Sequence, residues 1–183
     1  MCVLFFFNLG VLPVSIMEAR NFNVAREMLT ETNWLLTTMN AIPRYEKPPF
    51  PAWFTTMFSQ FNIKSVFFIS ITHEYRCDFW SYFSYYLFKS LAQTKKVAFI
   101  ASLVLATSFY YVASRFEAPS DTYTHAFMIA GLLFMTKAIQ SSTKSLLYIS
   151  LAILGIGISV LSKGPVSLYA VFLPFIIAYF STY

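Results

Sequence analysis

The stretch SLLYISLAILGIGISVLS, at residues 145–162, contains no charged side chain. A helix needs roughly 20 mostly apolar residues to cross a bilayer, and this stretch comes close to that length. Residues 97–114 and 164–183 are uncharged in the same way. Across the chain 57% of residues are hydrophobic and 11% are charged, whereas soluble domains carry about 25% charged residues. The sequence therefore predicts an all-α fold, a polytopic bundle of transmembrane helices.

On this length criterion we predict about six transmembrane spans. They are placed at residues 3–16, 65–88, 97–114, 122–140, 145–162 and 164–183. The first is short and contains Pro13. A signal peptide is the alternative there, but the chain has no basic region at its start and no small-residue cleavage site. Residues 17–64 form a loop between the first two spans.

The second predicted span fits a membrane poorly. Ionisable side chains fall in its middle, namely His73, Glu74, Arg76 and Asp78. Charged groups at bilayer depth cost at least about 2.5 kcal/mol each. A buried ion or proton site, an interrupted helix and a locally corrupted reading frame are the alternatives, and the sequence leaves them open.

The lysines indicate how the spans are oriented. Two connections are basic and contain no Asp or Glu, and their lysines are Lys89, Lys95, Lys96, Lys137 and Lys144. Cytoplasmic loops carry such an excess of positive charge. The loop 17–64, the connection 115–121 and Lys163 therefore belong on the outer face of the membrane. The net charge of +5 reflects this topology, since the chain has no basic stripe typical of nucleic-acid binding.

The outer loop begins with an amphipathic segment between residues 18 and 31. Apolar residues recur there every three or four positions, which is typical of a helix with one apolar face; they are Phe22, Ala25, Met28 and Leu29. The charged residues between them are Arg20, Arg26, Glu27 and Glu31. Because an apolar span precedes this helix, we predict that it lies in the membrane interface.

Glu18 has two interpretations from the residues alone. Ser15-Ile16-Met17-Glu18 has the spacing of a capping box, in which the carboxylate accepts a hydrogen bond from a backbone N–H at the start of the helix. Alternatively, the carboxylate serves in catalysis. The same carboxylate position allows both capping and catalysis, but the carboxylate cannot serve both at the same instant.

A proline-rich loop follows at residues 40–51 and contains Glu46-Lys47-Pro48-Pro49. Proline fixes its own φ and keeps the preceding residue out of the helical region. Lys47 is therefore held on a stiff, extended backbone, as a positioned phosphate ligand must be. The alternative is a solvated surface lysine beside Glu46.

Two further polar clusters lie in the outer connections. Arg115, Glu117 and Asp121 stand together between two spans, where they could bind a cation or orient a hydroxyl group. Asp121 could instead cap the helix that begins near residue 122. Lys163 could snorkel to the interface or face the same cavity as the outer loop.

Taken in order, these motifs resemble the bacterial family 39 glycosyltransferases, the group of the lipid A aminoarabinose transferase and the protein O-mannosyltransferases. They are Glu18-Ala-Arg20, Ala25 to Leu29, Asn33-Trp-Leu35, Glu46-Lys-Pro-Pro49, Ala106-Thr-Ser108, the acidic connection ending at Asp121, and Leu161-Ser-Lys-Gly-Pro165. The resemblance covers most of the chain, is weakest at residues 65–88, and concerns only the N-terminal part of these longer proteins. Residues 1–183 are therefore expected to be a partial transmembrane glycosyltransferase domain, from a fragment or a truncated gene product.

The resemblance implies an inverting transferase on the outer face of the bacterial inner membrane, active in lipid A modification or protein glycosylation. It would move a sugar from a polyprenyl-phosphate donor to a lipid or protein acceptor. By motif position Lys47 binds the lipid phosphate, and Asp121 is a second outer carboxylate of the site. The family usually has two adjacent acids before the arginine, where this chain has Met17-Glu18. Glu18 is then the available catalytic carboxylate.

The remaining expectations concern ligands and partners. Residues expected to bind substrate beside Lys47 are Arg20, Glu46, Arg115 and Lys163. No cofactor is predicted, except that the sequence leaves open whether a divalent metal takes part. Cys2 and Cys77 are isolated, which indicates neither a zinc site nor a disulfide framework. The partners are the lipid-linked sugar donor, the acceptor and membrane lipids, without nucleic acid.

Two other functions stay open from the sequence. A fragment of a transporter or channel would use the charges at residues 73–78 as its substrate path. An inactive remnant would keep a piece of the transferase fold without its activity. The transferase places function in the first outer loop, which the sequence favours.

Overall fold

The computed structural model describes residues 16–59, 66–92, 94–117, 119–141 and 143–182. These residues form helices and one small hairpin. The helices are α1 (Ile16–Glu31), α2 (Phe50–Ser59), α3 (Val66–Leu91), α4 (Lys95–Thr107), α5 (Phe109–Glu117), α6 (Pro119–Gln140), α7 (Ser145–Lys163), a π-helix (Leu168–Phe172) and α8 (Leu173–Thr182). The strands β1 (Thr38–Met39) and β2 (Ile42–Pro43) pair antiparallel between α1 and α2. The prediction of a helical fold is confirmed.

The predicted spans correspond to helices of different kinds. Among the described residues, only α7 is long and apolar enough to cross a membrane on length and composition, and residues 168–182 form a shorter apolar helical segment. The predicted span at residues 3–16 lies outside the described residues, apart from Ile16. The other spans, and the interfacial position of α1, stay predictions.

The predicted span at residues 97–114 is divided by Ser108. Its backbone is extended, with φ −66° and ψ 142°, so α4 ends there and α5 begins at the next residue. Ser108 supplies hydrogen bonds at the end of α4, because its N–H and its hydroxyl both donate to Leu105 O, at 3.1 and 2.7 Å. Its Oγ also accepts from the N–H of Tyr111 at 3.4 Å. These hydrogen bonds of Ser108 replace the backbone hydrogen bonds of the helix that are lost at the break.

Helix α3 runs without interruption through residues 73–78. The alternative of an interrupted helix at this point is therefore wrong. The side chains of His73, Glu74 and Arg76 lie outside the described residues. Asp78 is half-buried.

Helices α6 and α7 are antiparallel neighbours that touch through glycine. A Cβ added at Gly155 would lie 3.0 Å from Gly131 N and 3.1 Å from both Gly131 Cα and Phe127 O. Small residues at a helix interface let two backbones approach this closely, which is how membrane helices gain packing contact. Nearer the beginning of α6, Ser159 of α7 donates a hydrogen bond of 2.7 Å to Thr124 O.

The rest of the core lies on both sides of this pair. Leu87 of α3 packs with Leu132 and Leu133 of α6, and α1 packs on α2 through Val24, Met28 and Ala52. The predicted apolar face of α1 is partly confirmed. Its members Ala25 and Met28 are buried, whereas Phe22 and Leu29 are half-buried.

Candidate functional site

An ion pair joins the beginning of α6 to the end of α7. Lys163 Nζ contacts Asp121 Oδ1, and the two side chains are 43% and 16% exposed. Asp121 lies in the first turn of its helix and Lys163 in the last turn of its own. Each charge therefore complements the helix dipole at its position. Because α6 and α7 are held together at Gly131 and Gly155, their adjacent ends bring these two side chains into contact.

Helix α2 packs on the same end of α6 through aromatic rings. Phe50, the first residue of α2, packs edge-to-face on Tyr123 and Phe127 of α6, with ring centroids 6.0 and 5.4 Å apart. Phe54 of α2 adds a contact to Tyr123 at 5.2 Å. Such pairs contribute about 0.5–1.5 kcal/mol each beyond the area that they bury. Since Phe50 follows the EKPP sequence directly, this contact fixes where the loop meets the helix.

Lys47 is half-buried at this junction. Burial and the neighbouring guanidinium of Arg44 lower the pKa of Lys47. The charges of Lys163 and Arg20 act in the same direction, and the carboxylate of Asp121 opposes them. The other four side chains therefore lie within electrostatic reach of Lys47. Among the described groups acting on Lys47, one carboxylate faces an excess of cations, and it is already paired with Lys163. This arrangement favours an anion as the occupant.

The hairpin ahead of Lys47 is held by a buried carboxylate. Asn40 and Ala41, the two residues between the strands, both have positive φ, at 56° and 61°, as a type I′ turn requires. Glu27 of α1 accepts hydrogen bonds from the N–H of Asn40 at 2.6 Å and of Ala41 at 3.4 Å. Although Glu27 is one of the charged residues between the apolar positions of α1, it is only 8% exposed.

These hydrogen bonds also determine the charge of Glu27. Burial alone would raise the pKa of its carboxyl group, but hydrogen bonds from Thr38, Asn40 and Ala41, together with the charge of Arg26, outweigh burial and lower the pKa below the ordinary value of 4.5. The carboxylate is therefore ionised at neutral pH, and a charge-assisted acceptor holds the turn.

Two contacts extend this support toward the EKPP loop. Beyond the strands, the N–H of Arg44 donates to Thr37 O at 2.7 Å, and the Thr37 hydroxyl donates to Arg44 O at 3.1 Å. Trp53 Nε1 of α2 donates to Trp34 O at 2.6 Å, which ties α2 to the segment before the hairpin. The backbone on both sides of Lys47 is thus anchored.

The structure brings together four of the predicted site residues, namely Arg20, Lys47, Asp121 and Lys163. Glu46 is exposed. Glu18 lies on the first turn of α1, but its side chain and that of Arg115 lie outside the described residues, as does Ser15 of the predicted capping box. Sequence reasoning missed Arg44. Its only signal is its position three residues before Lys47, because the hairpin that orients it depends on Glu27, far away in sequence.

An aromatic cluster lies one helical turn below Asp121. His125 stacks on Trp80 of α3, with ring centroids 5.3 Å apart, and its Nε2 lies 3.4 Å from the hydroxyl of Tyr110. Tyr111 and Ser81 share a hydrogen bond of 2.6 Å. This cluster joins α3, α5 and α6 beneath the charged site. No group of three or more His, Cys, Asp or Glu residues that could hold a metal occurs in the described ranges.

The fold resembles that of two solved structures of one protein. The structure of ArnT from Cupriavidus metallidurans bound to undecaprenyl phosphate superposes with a TM-score of 0.79 at 21% identity, over 99% of this chain and 34% of that one. The apo structure of the same protein gives a TM-score of 0.76 at 20% identity, over 98% and 34%.

Residues 46–182 match the family described as dolichyl-phosphate-mannose-protein mannosyltransferase, and the chain belongs to this family. An uncharacterized protein of Aquifex aeolicus (strain VF5) is 26% identical over 166 residues, which are 89% of this chain and 32% of the relative. The chain thus spans about a third of the length of the proteins that it matches.

Proposed function

We propose that this chain forms part of a membrane glycosyltransferase that takes a sugar from a polyprenyl-phosphate donor. The observation that carries the proposal is the half-buried Lys47, which stands among cations where the start of α6 meets the end of α7. Such a site suits a phosphate attached to an apolar chain. The ArnT structure with undecaprenyl phosphate and membership of the mannosyltransferase family support the same ligand class.

The reaction is a single displacement at the anomeric carbon of the sugar. The bond between that carbon and the phosphate oxygen breaks, and its electron pair stays on the phosphate. The acceptor hydroxyl oxygen bonds to the carbon from the opposite face, and the hydroxyl proton passes to a carboxylate. One carboxylate suffices as the general base, because phosphate leaves as a stable anion and needs no general acid to protonate it.

The cations act on the leaving phosphate. Negative charge grows on its oxygens as the sugar departs, and cationic groups held in place stabilise that charge without reorganising. We assign Lys47 as the principal phosphate ligand, with Arg20 and Lys163 beside it. Glu46 and Arg115 are retained as substrate-binding candidates. The sugar is a hexose or pentose, and the acceptor is a lipid or a protein on the outer face of the inner membrane.

The two candidate carboxylates receive different roles. Asp121 is engaged by Lys163, so it holds that lysine toward the phosphate. Glu18 lies in the first turn of α1, and we assign it as the acceptor of the hydroxyl proton. In this scheme cationic side chains stabilise the leaving phosphate, so a divalent metal is not needed.

The proposal is tested by lipid binding to the purified chain in nanodiscs. Undecaprenyl phosphate should bind at least about tenfold more tightly than undecaprenol, because a charge-assisted contact contributes roughly 1.5–3 kcal/mol. Lys47→Ala should remove this preference. Lys96→Ala, at an exposed lysine of α4, is the matched control and should keep it. Equal binding of both lipids by the unmodified chain would refute the proposal.

A further inference from the structure

Arg44 carries a cation that the proposed scheme does not use. It is half-buried, and its Nε is buried without a hydrogen-bond partner in the described part of the chain. Buried polar groups are normally satisfied, and an unpaired donor on a charged group is especially costly. Arg44 also stands among the cations around Lys47, where its charge acts more strongly than that of Asp121. Arg44 and Lys47 are thus two positive charges held close together, and the Nε–H of Arg44 lacks an acceptor in the described part of the chain.

The backbone fixes Arg44 in this place. Its N–H and C=O are both bonded to Thr37, at 2.7 and 3.1 Å, and the hairpin between them is held by Glu27. A guanidinium differs from an ammonium in presenting a planar fork of donors that matches two phosphate oxygens at once. Arg44 therefore offers geometry that Lys47 alone lacks.

The charge of the lipid phosphate changes during the proposed reaction. The donor is a phosphodiester and carries one negative charge. The product, polyprenyl phosphate, is a monoester whose second pKa is about 6, so it approaches two negative charges at neutral pH. A ligand that binds the second charge stabilises the leaving group more than the donor, which is the condition for accelerating the transfer.

We infer that Arg44 is a second phosphate ligand beside Lys47, one that selects the dianionic monoester leaving group over the phosphodiester donor. This inference rests on the proposed function and adds a residue and a charge preference to it. Lys47 binds both forms of the phosphate. Arg44 engages the oxygen on which the second charge appears.

The test compares two lipids at pH 8 with the purified chain in nanodiscs. The probes are undecaprenyl phosphate and its methyl diester, with undecaprenol as the uncharged reference. Arg44→Gln should weaken binding of the monoester by roughly tenfold or more, because a bond between charged groups is lost. The same variant should weaken the diester by about threefold or less. Lys96→Gln removes a cation from the exposed surface of α4 and should leave both affinities unchanged.

Each outcome decides a separate point. If Arg44→Gln weakens both lipids equally, or neither, the assignment of Arg44 is wrong while the proposed function stands. If the unmodified chain does not distinguish undecaprenyl phosphate from undecaprenol, the proposed function itself fails. Should Arg44→Gln lower the melting temperature strongly, Arg44→Lys replaces it. The lysine keeps the charge and loses the fork, so the ratio of monoester to diester affinity should fall, and an unchanged ratio would overturn the inference.

Discussion

Replacing Gly155 by alanine should separate α6 from α7 and disturb the site at their ends. The added Cβ would meet Gly131 N at 3.0 Å and Phe127 O at 3.1 Å. Comfortable carbon contacts lie at about 3.5–4.0 Å, so one backbone must move by roughly half an ångström or more. Neither neighbour is a flexible side chain that could turn away. The 2.7 Å bond from Ser159 to Thr124 O would lengthen with the same movement.

The free energy can be isolated with a second alanine on the same helix. Gly157 has no atom within 4 Å of its Cβ position, so Gly157→Ala gains helix propensity, about 0.8–1 kcal/mol, without a clash. Gly155→Ala gains the same propensity and adds an overpacking cost of about 1–3 kcal/mol. The difference between the two variants therefore measures the clash alone.

The assay is thermal unfolding in detergent, followed by tryptophan fluorescence. For a chain of this size each kcal/mol shifts the melting temperature by roughly 2–4 °C. Gly155→Ala should therefore melt about 2–12 °C below Gly157→Ala. It should also bind undecaprenyl phosphate more weakly, since Asp121 and Lys163 move apart. Equal melting temperatures for the two variants would show that the helices are not in close contact at Gly155.

Three further predictions concern the outer segment and the topology. Glu27→Ala should cost about 1–3 kcal/mol and speed amide exchange in the hairpin turn. Because the pKa of Glu27 is lowered on folding, its stabilising effect should be complete above the ordinary value of 4.5 and lost as the pH falls through the lower folded value. The protection factors of Asn40 and Ala41, which are corrected for intrinsic exchange, should fall over the same range, and protection factors that do not change there would contradict the assignment. Glu18→Gln should abolish sugar transfer while undecaprenyl phosphate still binds, whereas Asp121→Asn should weaken that binding; full transfer by Glu18→Gln would leave capping as its role. In chains without native cysteines, an impermeant thiol reagent should label Arg26→Cys in intact cells and spare Thr143→Cys, and the reverse pattern would overturn the orientation.

The helices could be predicted from the sequence wherever apolar residues continue along the chain with few or no charges. The uncharged stretch at residues 145–162 predicts α7 nearly to its observed ends, and α6 likewise ends at residue 140. Ser108 shows the limit of this reasoning. A single serine in an apolar stretch gives no warning of a break, because its hydrogen bonds to Leu105 and Tyr111 are visible only in three dimensions.

The site was only partly accessible from the sequence. Lys47 could be singled out because prolines around it restrict the backbone, and its association with Asp121 and Lys163 followed from the order of the motifs. Glu27 and Arg44 could not be found in this way. The hydrogen bonds of Glu27 come from residues 13 and 14 positions away, and the hairpin turn contains Asn40-Ala41 without the usual glycine. Local patterns do not encode such contacts.

The crowding of cations around Lys47 has a consequence for folding as well as for ligand binding. Segments remote in the sequence, carrying Arg20, Arg44 and Lys163, must converge before this positive charge accumulates, so self-repulsion opposes the last step of assembly. An anion that binds only the assembled state removes that opposition and raises stability by RT ln(1 + [L]/Kd). The lipid phosphate would then act as a folding partner. In membranes depleted of this lipid, the loop that carries Lys47 should unfold more readily than in membranes that contain it.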